Sequence, residues 1–202
     1  MEFSGKKVTV VGTGISGIGA VGLLNAVGAE VVLYDGNEKL KIEDIEKKLG
    51  TYKAEIVLGE LTKELTDSSD LLVISPGVPI DSPVVKAFEA AGVPVWGEVE
   101  LAYAFDKGKV LAITGTNGKT TTTALVGQIV GAYHKDTFVV GNIGNPYTTE
   151  VLKSNKDSYT VAEISSFQLE TVHEFHPLVS AILNITPDHL NRHYTMDCYV
   201  QT

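Results

Sequence analysis

The chain has 202 residues, 44% of them hydrophobic, which is enough for one large or two small domains with a buried core. Its 16 Lys and Arg residues against 25 Asp and Glu residues give a net charge of −9, which disfavours a nucleic-acid partner or an anionic membrane surface. The single cysteine, Cys198, excludes an intrachain disulfide framework and suits a reducing compartment. We therefore expect a cytoplasmic protein.

Apolar runs alternate with amphipathic segments along the first half of the chain, which is the order of a parallel α/β sheet. The predicted strands are 7–11, 30–34, 55–58, 70–74 and 93–96, and the predicted helices are 16–27, 38–49 and 82–91. The uncharged run 8–29 could suggest a membrane span. Its six glycines stand in the register of a ligand-binding turn, however, and we expect no membrane segment.

The alternation then restarts and predicts a second sheet. After a predicted helix at 98–105, strands are expected at 109–114, 137–140, 159–164 and 178–184, with a helix at 122–130. We predict two domains, residues 1–96 and 97–202. The second series stops at Thr202, so we expect an incomplete second sheet and a chain that is the front part of a longer protein.

A phosphate-binding loop follows the strand at 109–114, with the sequence Gly-Thr-Asn-Gly-Lys-Thr-Thr at 115–121. Backbone N–H groups and the helix dipole favour anionic oxygens at such a helix start. Lys119 can reach a terminal phosphate and Thr120 can ligate Mg²⁺. Ile113 stands where the full P-loop motif has glycine, so the match is incomplete. The loop indicates a nucleoside triphosphate, the alternative being a glycine-rich turn without a ligand.

A second glycine-rich turn lies near the start of the chain. Residues 12–17 read Gly-Thr-Gly-Ile-Ser-Gly directly after a predicted strand, and Asp35 ends the next one. This pattern is typical of a dinucleotide site, but any diphosphate can occupy such a turn. The other interpretation is that the glycines only allow close packing of helix and strand.

Three further segments follow predicted strands. Ser-Pro-Gly-Val-Pro at 75–79 predicts a turn at the carboxyl edge of the sheet, where ligands of open α/β sheets bind. Glu163 ends a strand near the phosphate loop and is a natural Mg²⁺ ligand, or else a solvated surface carboxylate. His189 is a candidate to bind a metal or orient a phosphate, or else a structural histidine.

Taken together, these segments resemble the Mur ligase family along the whole chain. The loop at 115–120 is shared by that family and by folylpolyglutamate synthetases. The sequences Glu-Ile-Ser-Ser-Phe-Gln-Leu-Glu at 163–170 and Asn-Ile-Thr-Pro-Asp-His-Leu-Asn-Arg-His at 184–193 are similar to its D-glutamate-adding branch. The resemblance implies a Rossmann-like UDP-binding domain followed by the front part of a central P-loop ATPase α/β domain.

The resemblance also implies which residues form each site. The residues implied for the UDP-linked substrate are Gly14, Ile15, Ser16, Asp35, Gly77 and Asn142. Those implied for ATP are Gly115, Thr116, Asn117, Gly118, Lys119, Thr120 and Thr121. Mg²⁺ would be held by Thr120, Glu163 and His189, and the catalytic residues would be Lys119, Glu163 and His189.

The activity that the resemblance implies is an ATP-dependent ligase of peptidoglycan synthesis, and so of cell-wall biogenesis, cell shape and cell division. It would join D-glutamate to UDP-N-acetylmuramoyl-L-alanine through an acyl phosphate. The family's carbamylated lysine and D-glutamate domain would fall beyond Thr202, so we expect the 202 residues alone to be inactive. Two alternatives stay open, namely a nicotinamide-dependent dehydrogenase using the turn at 12–17 and a non-catalytic nucleotide-binding module.

Overall fold

The computed structural model describes residues 2–202, which form two parallel β-sheets flanked by helices. The first sheet contains β1 (Lys7–Val11), β2 (Glu30–Asp35), β3 (Glu55–Leu58), β4 (Leu71–Ile74) and β5 (Val95–Gly97). Its helices are α1 (Ile15–Ala26), α2 (Ile42–Leu49), α3 (Lys63–Ser68) and α4 (Pro83–Ala90). The strand order is β3-β2-β1-β4-β5 and all neighbours are parallel, so the carboxyl ends of the strands share one edge.

The second sheet has four parallel strands in the order β7-β8-β6-β9. These are β6 (Lys109–Thr114), β7 (Thr137–Gly141), β8 (Tyr159–Glu163) and β9 (Val179–Ile182). The helices of this half are α5 (Glu98–Tyr103), α6 (Lys119–Tyr133), α7 (Tyr147–Glu150), α8 (Ser166–Leu169), α9 (Leu190–His193) and α10 (Met196–Gln201), with a 3-10 helix at Val151–Lys153.

Burial on both faces explains the apolar strands at the centre of the first sheet. Every residue of β4 and the last four residues of β1 are buried, as expected of parallel strands covered by helices. One hydrophobic cluster continues from these strands through α1 into the second half, where it includes Leu101 and Ala162. Helix α1 contacts both α5 and α7, so the two sheets are joined through a shared core.

The α/β class and the two successive parallel sheets predicted from the sequence are confirmed. Helix α2, expected from residue 38, begins at Ile42. The side chain of Asn37 accepts a hydrogen bond from the Lys39 N–H at 3.1 Å, and such a local bond competes with helix formation. Helix α6 begins at Lys119 rather than at 122, so the last three residues of the phosphate-binding sequence 115–121 are already helical. The domain limits 1–96 and 97–202 stay a prediction.

Within residues 2–202, no helix is long and apolar enough to cross a bilayer. The uncharged run 8–29 instead divides into most of β1, the glycine turn and α1.

Candidate functional site

The first glycine turn presents the start of α1 at the carboxyl edge of the first sheet. A Cβ atom on Gly17 would lie 1.9 Å from the carbonyl oxygen of Gly12, so only glycine allows this close approach. Gly14 is the N-cap of the 12-residue helix α1 and makes no side-chain capping bond. Because the first N–H groups of a helix have no intrahelical acceptor, this end of α1 suits an anion such as a diphosphate.

Asp35 fastens this turn to the end of β2. Its Oδ2 atom accepts hydrogen bonds from the hydroxyl of Thr13 at 3.0 Å and from the Thr13 N–H at 3.3 Å. Its Oδ1 atom accepts from the Asn37 N–H at 3.1 Å. The carboxylate therefore supports the turn, and it also lines a cavity of about 340 Å³ together with Gly77.

A larger cleft of about 730 Å³ opens on the other side of the same turn. It is lined by Gly14 and Ile15 from the first half and by Asn145 and Pro146 from the second. The Ile15 side chain is 79% exposed at the start of α1. The residues implied for the UDP-linked substrate in the first half thus lie around one turn flanked by two cavities.

The phosphate loop joins β6 to the 15-residue helix α6. Gly118 is the N-cap of α6 and has φ of +86°, a conformation that glycine adopts without strain. The ammonium of Lys119 folds back over the loop and donates to the carbonyl oxygens of Gly115 at 2.7 Å and Thr116 at 3.1 Å. Thr120 is exposed at the start of the helix. A loop of this shape can surround an anion with backbone N–H groups and the ammonium of one lysine.

The segment after β9 supports the phosphate loop. This support was not predicted from the sequence. The backbone N–H of Asn117 donates to Oδ1 of Asn184 at 2.9 Å, and the Asn184 amide donates back to the Asn117 carbonyl oxygen at 2.9 Å. The Thr116 hydroxyl is hydrogen-bonded to the Tyr199 hydroxyl at 3.0 Å. The position of Asn184 directly after an apolar strand, at the same sheet edge, was the available signal.

Glu163 lies beside this loop at the end of β8. Strands β6 and β8 are neighbours, with Ile113 opposite Glu163 in the register. The side chain is fully buried, and its Oε1 atom accepts from the Asn142 amide at 2.8 Å. The Oε2 atom is buried without a hydrogen-bond partner among residues 2–202. A buried carboxylate oxygen without a partner, next to a phosphate loop, is chemically suited to a hard divalent cation.

His189 approaches the segment that follows Glu163. It is the N-cap of α9, and its imidazole packs on the ring of Phe167 with 4.8 Å between centroids. Its side chain is about half exposed. Among residues 2–202, no three or more His, Cys, Asp or Glu side chains are grouped to hold a metal. A metal here would therefore need oxygen from another source, such as Thr120, a phosphate or water.

A buried acid at the start of α5 joins α7 and α8, the short helices that follow Asn142 and Glu163 in the chain. Burial raises the pKa of Glu98, whose Oε1 atom accepts from the Thr148 N–H at 3.3 Å. Its Oε2 atom accepts from the amide of Gln168 at 3.4 Å. Gln168 completes a capping box with Ser165 at the start of α8. This network connects α7 and α8 to α5.

Two family models match successive parts of the chain. The Mur ligase MurD-like N-terminal domain matches residues 6–97, and the Mur ligase middle domain matches residues 113–202. The first match contains the first sheet, and the second contains β7, β8, β9 and the last two residues of β6.

Curated relatives align with the whole chain. A UDP-N-acetylmuramoylalanine--D-glutamate ligase of Lachnospira eligens is 72% identical over 202 residues, which are 100% of this chain and 45% of that relative. A protein of the same name from Lachnoclostridium phytofermentans is 59% identical over 100% of this chain and 44% of its own length. The chain thus spans somewhat less than half the length of these relatives.

Solved structures share the fold at low sequence identity. The UDP-N-acetylmuramate:L-alanyl-gamma-D-glutamyl-meso-diaminopimelate ligase of Neisseria meningitides aligns with a TM-score of 0.60 at 18% identity, over 98% of this chain and 66% of that one. A murein peptide ligase of Psychrobacter arcticus gives 0.53 at 18% identity, over 93% and 44% respectively. With residues 6–97 and 113–202 matched by Mur ligase models and its full length aligned to relatives of 72% and 59% identity, the chain belongs to the Mur ligase family.

Proposed function

We propose that this protein acts as an ATP-dependent ligase of peptidoglycan synthesis, joining D-glutamate to UDP-N-acetylmuramoyl-L-alanine. The names of the relatives at 72% and 59% identity support this substrate pair. The observation that carries the proposal is the position of the Lys119 loop beside the buried carboxylate of Glu163, at the ends of adjacent strands. This arrangement can hold a triphosphate and a divalent cation together.

ATP is the ligand that we assign to the loop 115–121. Its phosphates would replace the carbonyl oxygens of Gly115 and Thr116 as partners of the Lys119 ammonium. The backbone N–H groups at the start of α6, including those of Thr120 and Thr121, would face the same anion. Lysine serves as a point charge that stabilises the negative charge spread over a transferred phosphoryl group.

Mg²⁺ is the cation that we assign to Glu163, with the hydroxyl of Thr120 and the imidazole of His189 as further candidates. The unpartnered Oε2 atom of Glu163 supports this assignment, because a buried anionic oxygen needs a compensating charge. When bound, Mg²⁺ would neutralise phosphate charge and polarise the phosphoryl group. His189 is the softest donor of the three, so orienting a phosphate is an equally suitable role for it.

The UDP-linked substrate is assigned to the first glycine turn. The start of α1 at Gly14, Ile15 and Ser16 would take the diphosphate, and the cavity between Asp35 and Gly77 would take the nucleoside. Asn142 would meet the same substrate from the second half.

In the proposed reaction, a carboxylate oxygen of the alanyl group attacks the γ-phosphorus of ATP, the bond to the β,γ-bridging oxygen breaks, and ADP leaves. The amine of D-glutamate then attacks the acyl phosphate carbon, and inorganic phosphate departs as the amide forms. Both reactants of the first step are anions. Lys119 and the N–H groups of the loop offset that repulsion, which is the contribution that preorganised charges make to such a transfer.

The compartment proposed is the cytoplasm, in keeping with a single cysteine and the use of ATP.

The test is calorimetric titration of the chain with UDP, NADH and a non-hydrolysable ATP analogue. We expect binding of UDP and of the ATP analogue with Mg²⁺, and no competition between them. Binding of NADH without UDP would instead favour the nicotinamide-dependent alternative. Phosphate release in the presence of D-glutamate and the UDP-linked substrate, measured on the protein at the full length of its relatives, separates a ligase from a non-catalytic module.

A further inference from the structure

We propose that Arg192 and Tyr194 are positioning residues that couple the substrate site at Gly77 to the nucleotide and metal site at His189. This inference rests on the function proposed above and specifies how two of its ligands affect each other's binding. Both residues follow β9 in the second half of the chain. Both contact the loop 77–81 of the first half.

Arg192, the only arginine of the chain, lies partly buried where the two halves meet. Its side chain is 11% exposed, and it donates to both carboxylate oxygens of Glu170. It also donates to the carbonyl oxygen of Val78 at 3.0 Å. The planar guanidinium donates to the Glu170 carboxylate and the Val78 carbonyl oxygen at the same time. A lysine ammonium cannot reproduce this geometry. The loop is thereby held one residue after Gly77.

The same guanidinium lies against the ring that supports His189. The Cζ atom of Arg192 is 4.9 Å from the centroid of Phe167. The imidazole of His189 packs on the same ring with 4.8 Å between centroids, and that of His193 with 5.6 Å. If the Val78 carbonyl moves and Arg192 moves with it, the packing of His189 on the Phe167 ring therefore changes.

Tyr194 makes a second and separate contact with the loop. Its hydroxyl donates to Oδ2 of Asp81. Its backbone has φ of +65° and ψ of −49°, a region that residues other than glycine rarely adopt. Strained conformations persist where several contacts determine them, so this contact and that of Arg192 act together on one short segment.

The direction of the coupling follows from this chain of contacts. A ligand that contacts Gly77 would further restrict the loop 77–81, which Arg192 and Tyr194 already contact, and with it Arg192 and the ring of Phe167. The second ligand then binds to a site that is already ordered, and its affinity rises. Linkage requires the same factor in both directions, and couplings of this kind begin at about fivefold. We therefore expect the ATP analogue with Mg²⁺ to tighten UDP binding by about fivefold or more.

Calorimetry on the 202-residue chain tests this inference. UDP affinity is measured alone and with a saturating concentration of the ATP analogue and Mg²⁺. Arg192→Lys keeps the positive charge but loses the planar guanidinium donors, and Tyr194→Phe loses only the hydroxyl. We expect both variants to bind each ligand alone nearly as the native chain does, while the coupling ratio falls toward one. Tyr133→Phe is the matched control, because Tyr133 is 83% exposed on α6, and its ratio should equal the native one.

The outcomes separate this inference from the proposed function. A native chain that binds both ligands with a coupling ratio near one overturns the inference alone, as does native coupling retained in both variants. A native chain that binds neither ligand overturns the proposed function and this inference with it. If Arg192→Lys does not fold, Tyr194→Phe decides, because Tyr194 is 69% exposed and losing its hydroxyl disturbs no core contact.

Discussion

The side-chain amide of Asn142 donates a hydrogen bond to Oε1 of Glu163 at 2.8 Å. The first residue is one of those implied for the UDP-linked substrate, and the second is one of the candidate Mg²⁺ ligands. A second bond runs between the same residues, from the Asn142 N–H to the Glu163 carbonyl oxygen at 2.9 Å. The two proposed sites therefore meet at one residue pair, where the carboxylate of one substrate and the phosphate of another would have to come together.

Asn142→Ala is expected to destabilise the fold by about 1–3 kcal/mol, because it leaves the second oxygen of a buried carboxylate without a partner. Urea unfolding measures this loss. Asn145→Ala is the matched control, since Asn145 donates to Glu150 in an exposed pair and its loss should cost no more than about 0.5 kcal/mol. Equal stability of the two variants would show that the Asn142 bond contributes nothing to the fold.

Lys119→Met is expected to weaken binding of the ATP analogue by about 10–100-fold, the value of one charge-assisted contact to a phosphate. UDP affinity should stay at the native value, because the lysine lies at the start of α6 in the second half of the chain. Lys109→Met, at the far end of β6, is the control and should leave both affinities unchanged. Native affinity for the analogue in Lys119→Met would refute the assigned role.

Gly17→Ala is expected to destabilise the first half by about 1–3 kcal/mol or more, because the added methyl group collides with the Gly12 carbonyl oxygen. Gly14→Ala separates folding from binding, since a Cβ there meets nothing within 4 Å. We expect Gly14→Ala to keep the native melting temperature and to lower UDP affinity. Unchanged UDP affinity in Gly14→Ala would remove that residue from the substrate site.

Glu98→Gln is expected to change the pH dependence of stability. Burial raises the pKa of Glu98 above its ordinary 4.5, so the folded state keeps the proton to a higher pH than the unfolded chain does. The stability from this group is full below pH 4.5 and is lost as the pH rises through the folded pKa. Relative to that of the native protein, the free energy of unfolding of the variant should therefore rise as the pH increases from about 5 to about 8.

Urea unfolding of both proteins across that pH range is the measurement. The test is whether the difference between the two free energies of unfolding changes with pH. Altered hydrogen bonding to Gln168 adds the same amount to this difference at every pH, so it does not affect the test. A difference that stays constant would mean that Glu98 titrates alike in the folded and unfolded states.

Strands and glycine turns were predictable from the sequence because their signals are local. The apolar run that forms β4 and the turn at 12–17 each depend on neighbouring residues alone. The short helix α3 was missed, since its six residues are mostly polar and too few to show a helical period. The start of α2 was misplaced because the side-chain bond of Asn37 is invisible to periodicity.

The assembly of the candidate site was only partly predictable. Glu163 could be placed near the phosphate loop because parallel strands bring their carboxyl ends to one edge. The bond from Asn142 and the contacts of Arg192 depend on packing between distant segments, which no local pattern encodes. The one available hint was that Arg192 is the chain's only arginine.

The central claim is that Glu163 and the Lys119 loop form one site for a nucleoside triphosphate with Mg²⁺. The most direct test is the affinity of the chain for a non-hydrolysable ATP analogue, with Mg²⁺ and with a chelator, in the native protein and in Glu163→Gln. We expect Mg²⁺ to tighten native binding by about 10–100-fold, as a charge-assisted contact does. Glu163→Gln should retain the affinity measured in chelator and lose most of that gain. An equal gain from Mg²⁺ in both proteins would contradict the account.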